Sequence, residues 1–239
     1  MKHNIVELRD RFKRLLDTLC NEYNFGSYVD GRSPEDIEYN WEGYDEASND
    51  LGIWTGSGAT KFVIGDGNCD YVIKFGPWVD EFDYCEREVE VYEEAENRGF
   101  ADKFAWTDFL FDYHFNESIC LPVYVMEWCQ CSYDMIDDEM DDWHYTKYCS
   151  SHNIQKSDDA LEKYLNSAER CGDCSERMLE WAFDCWGGTY TPKNEFVCFM
   201  REMFINDLHA GNWGWHNNKL VLVDYSGYGE CFSCRSINY

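Results

Sequence analysis

The sequence predicts an α+β fold in two lobes, an antiparallel-sheet lobe followed by a mainly helical one. Three observations predict it. Short apolar or β-branched runs at Leu51 to Trp54, Phe62 to Ile64 and Tyr71 to Phe75 are separated by the glycine turns Gly56-Ser57-Gly58 and Gly65-Asp66-Gly67-Asn68, the pattern of a strand meander. From residue 130 to residue 200 the apolar residues recur instead at three- and four-residue steps, the period of helices. An aromatic content of 18% supplies a core that a disordered chain would lack.

In chain order, residues 4–20 read as an amphipathic helix, with Ile5, Leu8, Phe12, Leu15 and Leu19 on one face. Residues 21–50 are acidic and turn-rich and carry no readable period, so residues 1–50 form an N-terminal helix and acidic extension. The sheet lobe is expected over 51–128. It holds the meander, then a helix over 83–97 with Val89, Tyr92 and Ala95 or Glu96 on related faces, then a buried strand from Ile119 to Trp128. The helical lobe is expected over 129–239. Leu161, Leu165 and Ala168, and later Met178, Leu179 and Ala182, fall at helical steps, and a shorter helix follows Pro192, a residue suited to a first turn. A loop and the strand Leu220 to Val223 close the pattern.

Charge narrows the function. Twenty basic against 47 acidic residues leave a net charge of −27, which repels nucleic-acid phosphates and anionic membranes and favours basic partners. No signal peptide or membrane-length apolar run is visible, so a cytoplasmic protein is expected. The thirteen cysteines are then expected to be reduced structural thiols. The pairs Cys171/Cys174 and Cys231/Cys234 have the spacing of a tetrahedral zinc site, a lesser alternative.

The segment Asp207-Leu-His-Ala-Gly-Asn212 is the most informative, with Asp224 twelve residues further on at the end of an apolar strand. Phosphoryl transfer from ATP requires oxygen ligands for Mg²⁺ and a carboxylate near the incoming hydroxyl, and these three side chains are of that kind. The segment resembles the catalytic loop of protein-kinase-like phosphotransferases, especially the Asp-x-His-x-x-Asn form of aminoglycoside phosphotransferase relatives. Val223-Asp224-Tyr225-Ser226-Gly227 resembles their metal-binding Asp-Phe-Gly segment. The family's other parts follow in its order: a glycine loop at Trp54 to Val63, a strand lysine in Val72-Ile73-Lys74-Phe75, a helical glutamate in Cys85 to Tyr92, and a hinge strand from Tyr124 to Cys129.

The resemblance implies a C-terminally short protein-kinase-like fold that binds ATP and Mg²⁺ in a cleft between the lobes. Asp207 would address the acceptor hydroxyl, Asn212 and Asp224 would hold Mg²⁺, and Lys74 would contact the α- and β-phosphates while paired with Glu88, for which Glu90 and Glu93 are rivals. The ATP-binding set would be Gly56, Ser57, Gly58, Lys61, Val63, Met126, Glu127 and Cys129, with backbone amides of the glycine loop on phosphate, Met126 at the gate of the adenine pocket and the backbone of Glu127 to Cys129 on adenine. Lys61 stands where a third glycine would, either touching phosphate or pointing outward; outward is the default for a lysine. His209 is expected to scaffold its loop.

Ile205-Asn206 replaces the usual His-Arg pair, and the chain runs only fifteen residues past Asp224. The acidic run Asp134, Asp137, Asp138, Glu139, Asp141 and Asp142 is expected to be a solvated helix face, with a docking surface for a basic substrate as the alternative. Two functions compete. One is an ATP-dependent phosphotransferase acting on a hydroxyl of a basic protein or a small molecule. The other is a catalytically weak, pseudokinase-like acidic module that engages a basic partner. Imitation of nucleic acid by the acidic surface is a third, weaker idea.

Overall fold

A computed structural model describes residues 3–25, 42–57, 61–67, 70–76, 83–115, 117, 120–167 and 174–226. Of the expected site and zinc residues, Gly58, Cys171, Cys231 and Cys234 lie outside the described residues. The chain divides into two compact units, 1–101 with 105–128, and 102–104 with 129–239. The described residues among 1–50 belong to the first unit.

Within the first unit, helix α1 (Ile5–Glu22) begins where the Asn4 side chain accepts from the Glu7 amide, and buries Leu8, Phe12, Leu16 and Leu19. A second helix, α2 (Glu42–Leu51), occupies part of the stretch that has no readable period. It also takes Leu51 out of the first expected strand, because β1 is Trp54–Ser57. Strands β2 (Phe62–Gly65) and β3 (Tyr71–Phe75) complete the meander. After helix α3 (Tyr84–Arg98) come β4 (Thr107–His114) and β5 (Cys120–Glu127). The antiparallel sheet runs β1-β2-β3-β5-β4. Pro122 of β5 is tolerated because its register partner is Asp112 of β4, while the pairing of β3 with β5 covers only Tyr124 to Glu127.

Alternation assigns the two faces of this sheet. Phe62, Ile64, Ile73, Phe75, Val123 and Val125 join Leu8, Phe12, Leu16 and Leu19 in one apolar core. Each such buried side chain contributes about 1.5–3 kcal/mol. Polar contacts fix the helix there. Arg9 donates to the carbonyl of Leu110 (2.9 Å), Tyr113 donates to Asp17 (2.8 Å), and Arg11 pairs with Asp66. Leu110 sits at a bulge that breaks the β4–β5 register between Phe109 and Phe111, so Arg9 reaches a carbonyl at the irregularity in the ladder. The opposite face presents Val63, Lys74 and Tyr124, which are register partners in turn.

Helix α3 stands on that second face. Asp83 caps it, accepting from the amides of Cys85 and Glu86 and from the Tyr124 hydroxyl (2.8 Å). Gly99 at φ 80° closes it, with Phe100 N donating to Ala95 O at 2.7 Å. Its buried stripe is Tyr84, Cys85, Glu88, Val91 and Ala95, so Ala95 of the expected set is buried, while Val89 and Tyr92 are half-buried and Glu96 is exposed. The stripe passes through a glutamate, and a reading of apolar period counts that residue as solvent-facing.

The second unit holds α4 (Tyr133–Ser151), α5 (Asp158–Leu165), α6 (Cys174–Cys185) and α7 (Glu195–Glu202), followed by the hairpin β6 (Trp213–His216) and β7 (Lys219–Leu222). Pro192 does not open α7. Asn194 caps that helix by accepting from the Phe196 amide (2.9 Å), while the Pro192 carbonyl receives Arg201. Phe104, Phe183, Phe196, Phe199, Trp213 and Tyr225 are buried around the hairpin, with Phe104 edge-on to Tyr225 at 4.9 Å. The hairpin turn is Asn217-Asn218, both at positive φ (49° and 62°), the geometry of a type I′ turn and a role asparagine fills well. No described helix is long and apolar enough to cross a membrane.

Candidate functional site

The expected site residues fall into two groups, one in each unit. In the first unit the centre is Glu88, 0% exposed. Lys74 Nζ lies 3.3 and 3.2 Å from its two carboxylate oxygens. The rivals go elsewhere: Glu90 takes Arg87 at 2.8 Å, and Glu93 is exposed.

Lys61 overturns the expectation that it points outward. It is 3% exposed, and its Nζ sits 2.7 Å from Glu88 Oε1. Alternation explains the direction, because residues 61 and 63 share the sheet face of Lys74, and that face looks toward α3. The partner is 27 residues away in sequence, so no local pattern announces it. Two ammonium groups thus converge on one buried carboxylate. Removing one member of such a buried set typically costs about 3–5 kcal/mol. Nearby, burial pushes the Cys85 thiol well above its ordinary value, so it is a packing group and not a nucleophile. Burial, helped by the Asp83 carboxylate, likewise holds the Tyr124 phenol protonated, so Tyr124 stays a donor to the α3 cap. Sequence reading missed both Asp83 and Tyr124. The Asp83-Tyr-Cys-Glu86 opening, an N-cap signal with an acid three residues on, could have found the first.

The remaining first-unit candidates line the same strands. Gly56 and Ser57 pair in register with Val63 and Phe62, and a Cβ at Gly56 would approach the Trp54 ring to 3.1 Å. Met126 is buried opposite Val72. The Glu127 and Trp128 amides donate to the carbonyls of Trp106 and Asp70 at 2.9 and 3.0 Å, so the expected adenine contacts of this stretch cannot use those two N–H groups as they stand.

In the second unit, Asp207, Asn212 and Asp224 are linked through one backbone frame. The Asn212 amide nitrogen donates to the Asp207 carbonyl at 2.7 Å, leaving its oxygen as the end suited to a cation. The Asn212 carbonyl in turn accepts from Val223 N at 2.9 Å, extending the Trp213↔Leu222 pairing of the hairpin. The hairpin therefore sets Asn212, at its entry, beside the segment that carries Asp224, at its exit. Ser226 donates to Asp224 at 3.3 Å. His209 scaffolds the loop while 47% exposed: Nδ1 accepts from Gly211 N at 3.0 Å, and Nε2 faces Asp207 Oδ2 at 3.6 Å. Cys129 is buried in this unit, and its Cβ lies 2.9 Å from where a Cβ on Gly214 would stand.

The acidic run lies on α4 and is only partly a solvated face. Asp141 pairs with Arg177, Asp142 with Lys156, and Glu139 accepts from Trp215 Nε1. Among the described residues no three of His, Cys, Asp and Glu gather as a metal cage. A magnesium ion that arrives with a nucleotide needs fewer protein ligands, one or two carboxylates beside the phosphates, and an Asn oxygen with an Asp carboxylate is a donor set of that kind. Cys174, the one described member of the zinc-spaced cysteines, is exposed at the start of α6.

No protein-family model matches the chain, and no curated protein matches it. Among solved structures, one titled as the streptomycin-ATP-APH(2")-IIa ternary complex is similar at 13% identity over 77% of this chain and 69% of that chain, with a TM-score of 0.31. A likeness that loose says nothing about chemistry.

Proposed function

We propose that this chain is an ATP-dependent phosphotransferase of the protein-kinase-like type, transferring the γ-phosphate to a hydroxyl of a protein or a small molecule. The observation that carries the reading is the second-unit frame, in which Asp207, Asn212 and the Val223-Asp224 segment are joined by two backbone-mediated hydrogen bonds. In this reading Asn212 and Asp224 hold Mg²⁺, which neutralises charge on the phosphates when bound. Asp207 accepts or orients the acceptor's hydroxyl proton, with His209 Nε2 close to its carboxylate. From the first unit, Lys74 addresses the α- and β-phosphates and Glu88 orients that lysine, while Gly56 to Gly58, Val63 and Met126 to Cys129 shape the nucleotide's surroundings.

Thermal unfolding with ATP and Mg²⁺ tests the nucleotide half. A ligand at a hundred times its Kd adds about 2.7 kcal/mol to stability, so wild type gains several degrees. Asp224→Ala is expected to lose the metal-dependent part of that gain. Asp207→Asn is expected to keep it, yet to lose transfer from labelled ATP to any acceptor in a metabolite or lysate mixture, because this side chain addresses the acceptor. No shift in wild type defeats the reading and favours an acidic binding module.

A further inference from the structure

We infer that Lys61 is a positioning residue that holds Glu88 in place so that Lys74 is released to the nucleotide phosphates. The inference rests on the phosphotransferase reading above. Glu88 is fully buried, and a carboxylate in that position requires a cation at all times. If Lys74 were its sole cation, any movement of Lys74 toward phosphate would leave the carboxylate uncovered.

The geometry divides the two roles. Lys61 makes one short charge-assisted bond of 2.7 Å to Oε1, whereas Lys74 is spread over both oxygens at 3.3 and 3.2 Å. The shorter contact is the stronger. Lys61 also precedes Phe62, which is buried and stacked on Phe75 with ring centroids 5.5 Å apart, so its backbone is anchored in the core. An ammonium carries three rotatable donors; Lys74, on the longer contacts, can turn one of them to a phosphate oxygen while Lys61 stays on Glu88.

The test measures ATP·Mg²⁺ affinity by titration calorimetry, with urea melts on every variant to establish that it is folded. Lys61→Met is expected to weaken binding roughly tenfold or more, because Glu88 then recaptures Lys74. Lys61→Arg, which keeps a cation, recovers most of the loss. In a Glu88→Gln background, which has already lost the orientation of Lys74, adding Lys61→Met is expected to cost no further affinity, because no carboxylate remains to recapture Lys74; a merely structural lysine would lose as much in either background. Should Lys61→Met fail to fold, the comparison of Lys61→Met/Glu88→Gln with Glu88→Gln decides, since neither variant carries the buried carboxylate. Wild-type affinity in Lys61→Met, or a further loss on adding Lys61→Met to Glu88→Gln, overturns the inference while leaving the phosphotransferase reading standing. Absence of binding by wild type overturns that reading, and the role of Lys61 with it.

Discussion

Phe204 is held in the left-handed region at φ 56° and is 55% exposed. It follows α7 in a Schellman closure: Ile205 N donates to Met200 O at 2.8 Å and Phe204 N to Arg201 O at 3.1 Å. Glycine normally takes this position because a Cβ there costs about 1 kcal/mol or more. The exposed ring recovers little of that by packing. Phe204→Gly is therefore expected to stabilise the protein by about 0.5–1 kcal/mol, read as a higher urea midpoint at unchanged slope. A loss of stability would show that the exposed ring makes contacts worth more than the backbone strain. The position lies three residues before Asp207, so the same variant assayed for phosphate transfer reports whether the strain serves the loop.

At the scale of elements, α3 depends on its cap. Asp83 accepts from two first-turn amides and from the Tyr124 hydroxyl, so it fixes the start of the helix to β5 and thereby places Glu88 against Lys61 and Lys74. Asp83→Ala is expected to cost about 2 kcal/mol, combining a lost N-cap with an unsatisfied hydroxyl. Asp83→Asn, which retains a capping oxygen, should cost less than half of that; equal losses would mean that the carboxylate charge matters more than the cap. Which elements were legible in the sequence follows from the same physics. β3 reads correctly because Tyr71 to Phe75 is β-branched and apolar between turns. β4 escapes notice because the bulge at Leu110 spaces its buried residues as Thr107, Leu110 and Tyr113, a three-residue step that cancels the two-residue period of a strand. In the same way α3 is found but its buried face is read only at Ala95, since Glu88 interrupts the apolar stripe. The grouping of Asp207 with Asn212 was readable from a five-residue spacing. The inward turn of Lys61 was not, because it is decided by a partner on another element.

For the whole molecule the governing quantity is the net charge of −27. Twenty cations neutralise the charge of only twenty of the 47 carboxylates, which leaves a surplus that repels itself in the folded state. The exposed pairs that salt would weaken, such as Arg98–Glu94 and Lys147–Glu180, contribute little each because solvent screens them. The buried contacts of Glu88 are screened far less. Repulsion therefore dominates the salt response, and raising NaCl from about 20 mM to about 0.5 M, which shortens the Debye length severalfold, is expected to raise Tm. A gain of ~1 kcal/mol corresponds to about 2–4 °C for a chain of this size. The measurement belongs above the ordinary histidine pKa of about 6.5, because His144 pulls the other way with pH. Burial lowers its pKa, and its neutral ring donates from Nε2 to the Arg177 carbonyl at 2.9 Å. The stability of that neutral form is complete above the unfolded value and is lost as pH falls toward the folded one. Run at about pH 7.5, where His144 is neutral in both states, the salt titration isolates the carboxylate surplus. A Tm that falls with NaCl would mean that surface ion pairs outweigh self-repulsion in this chain.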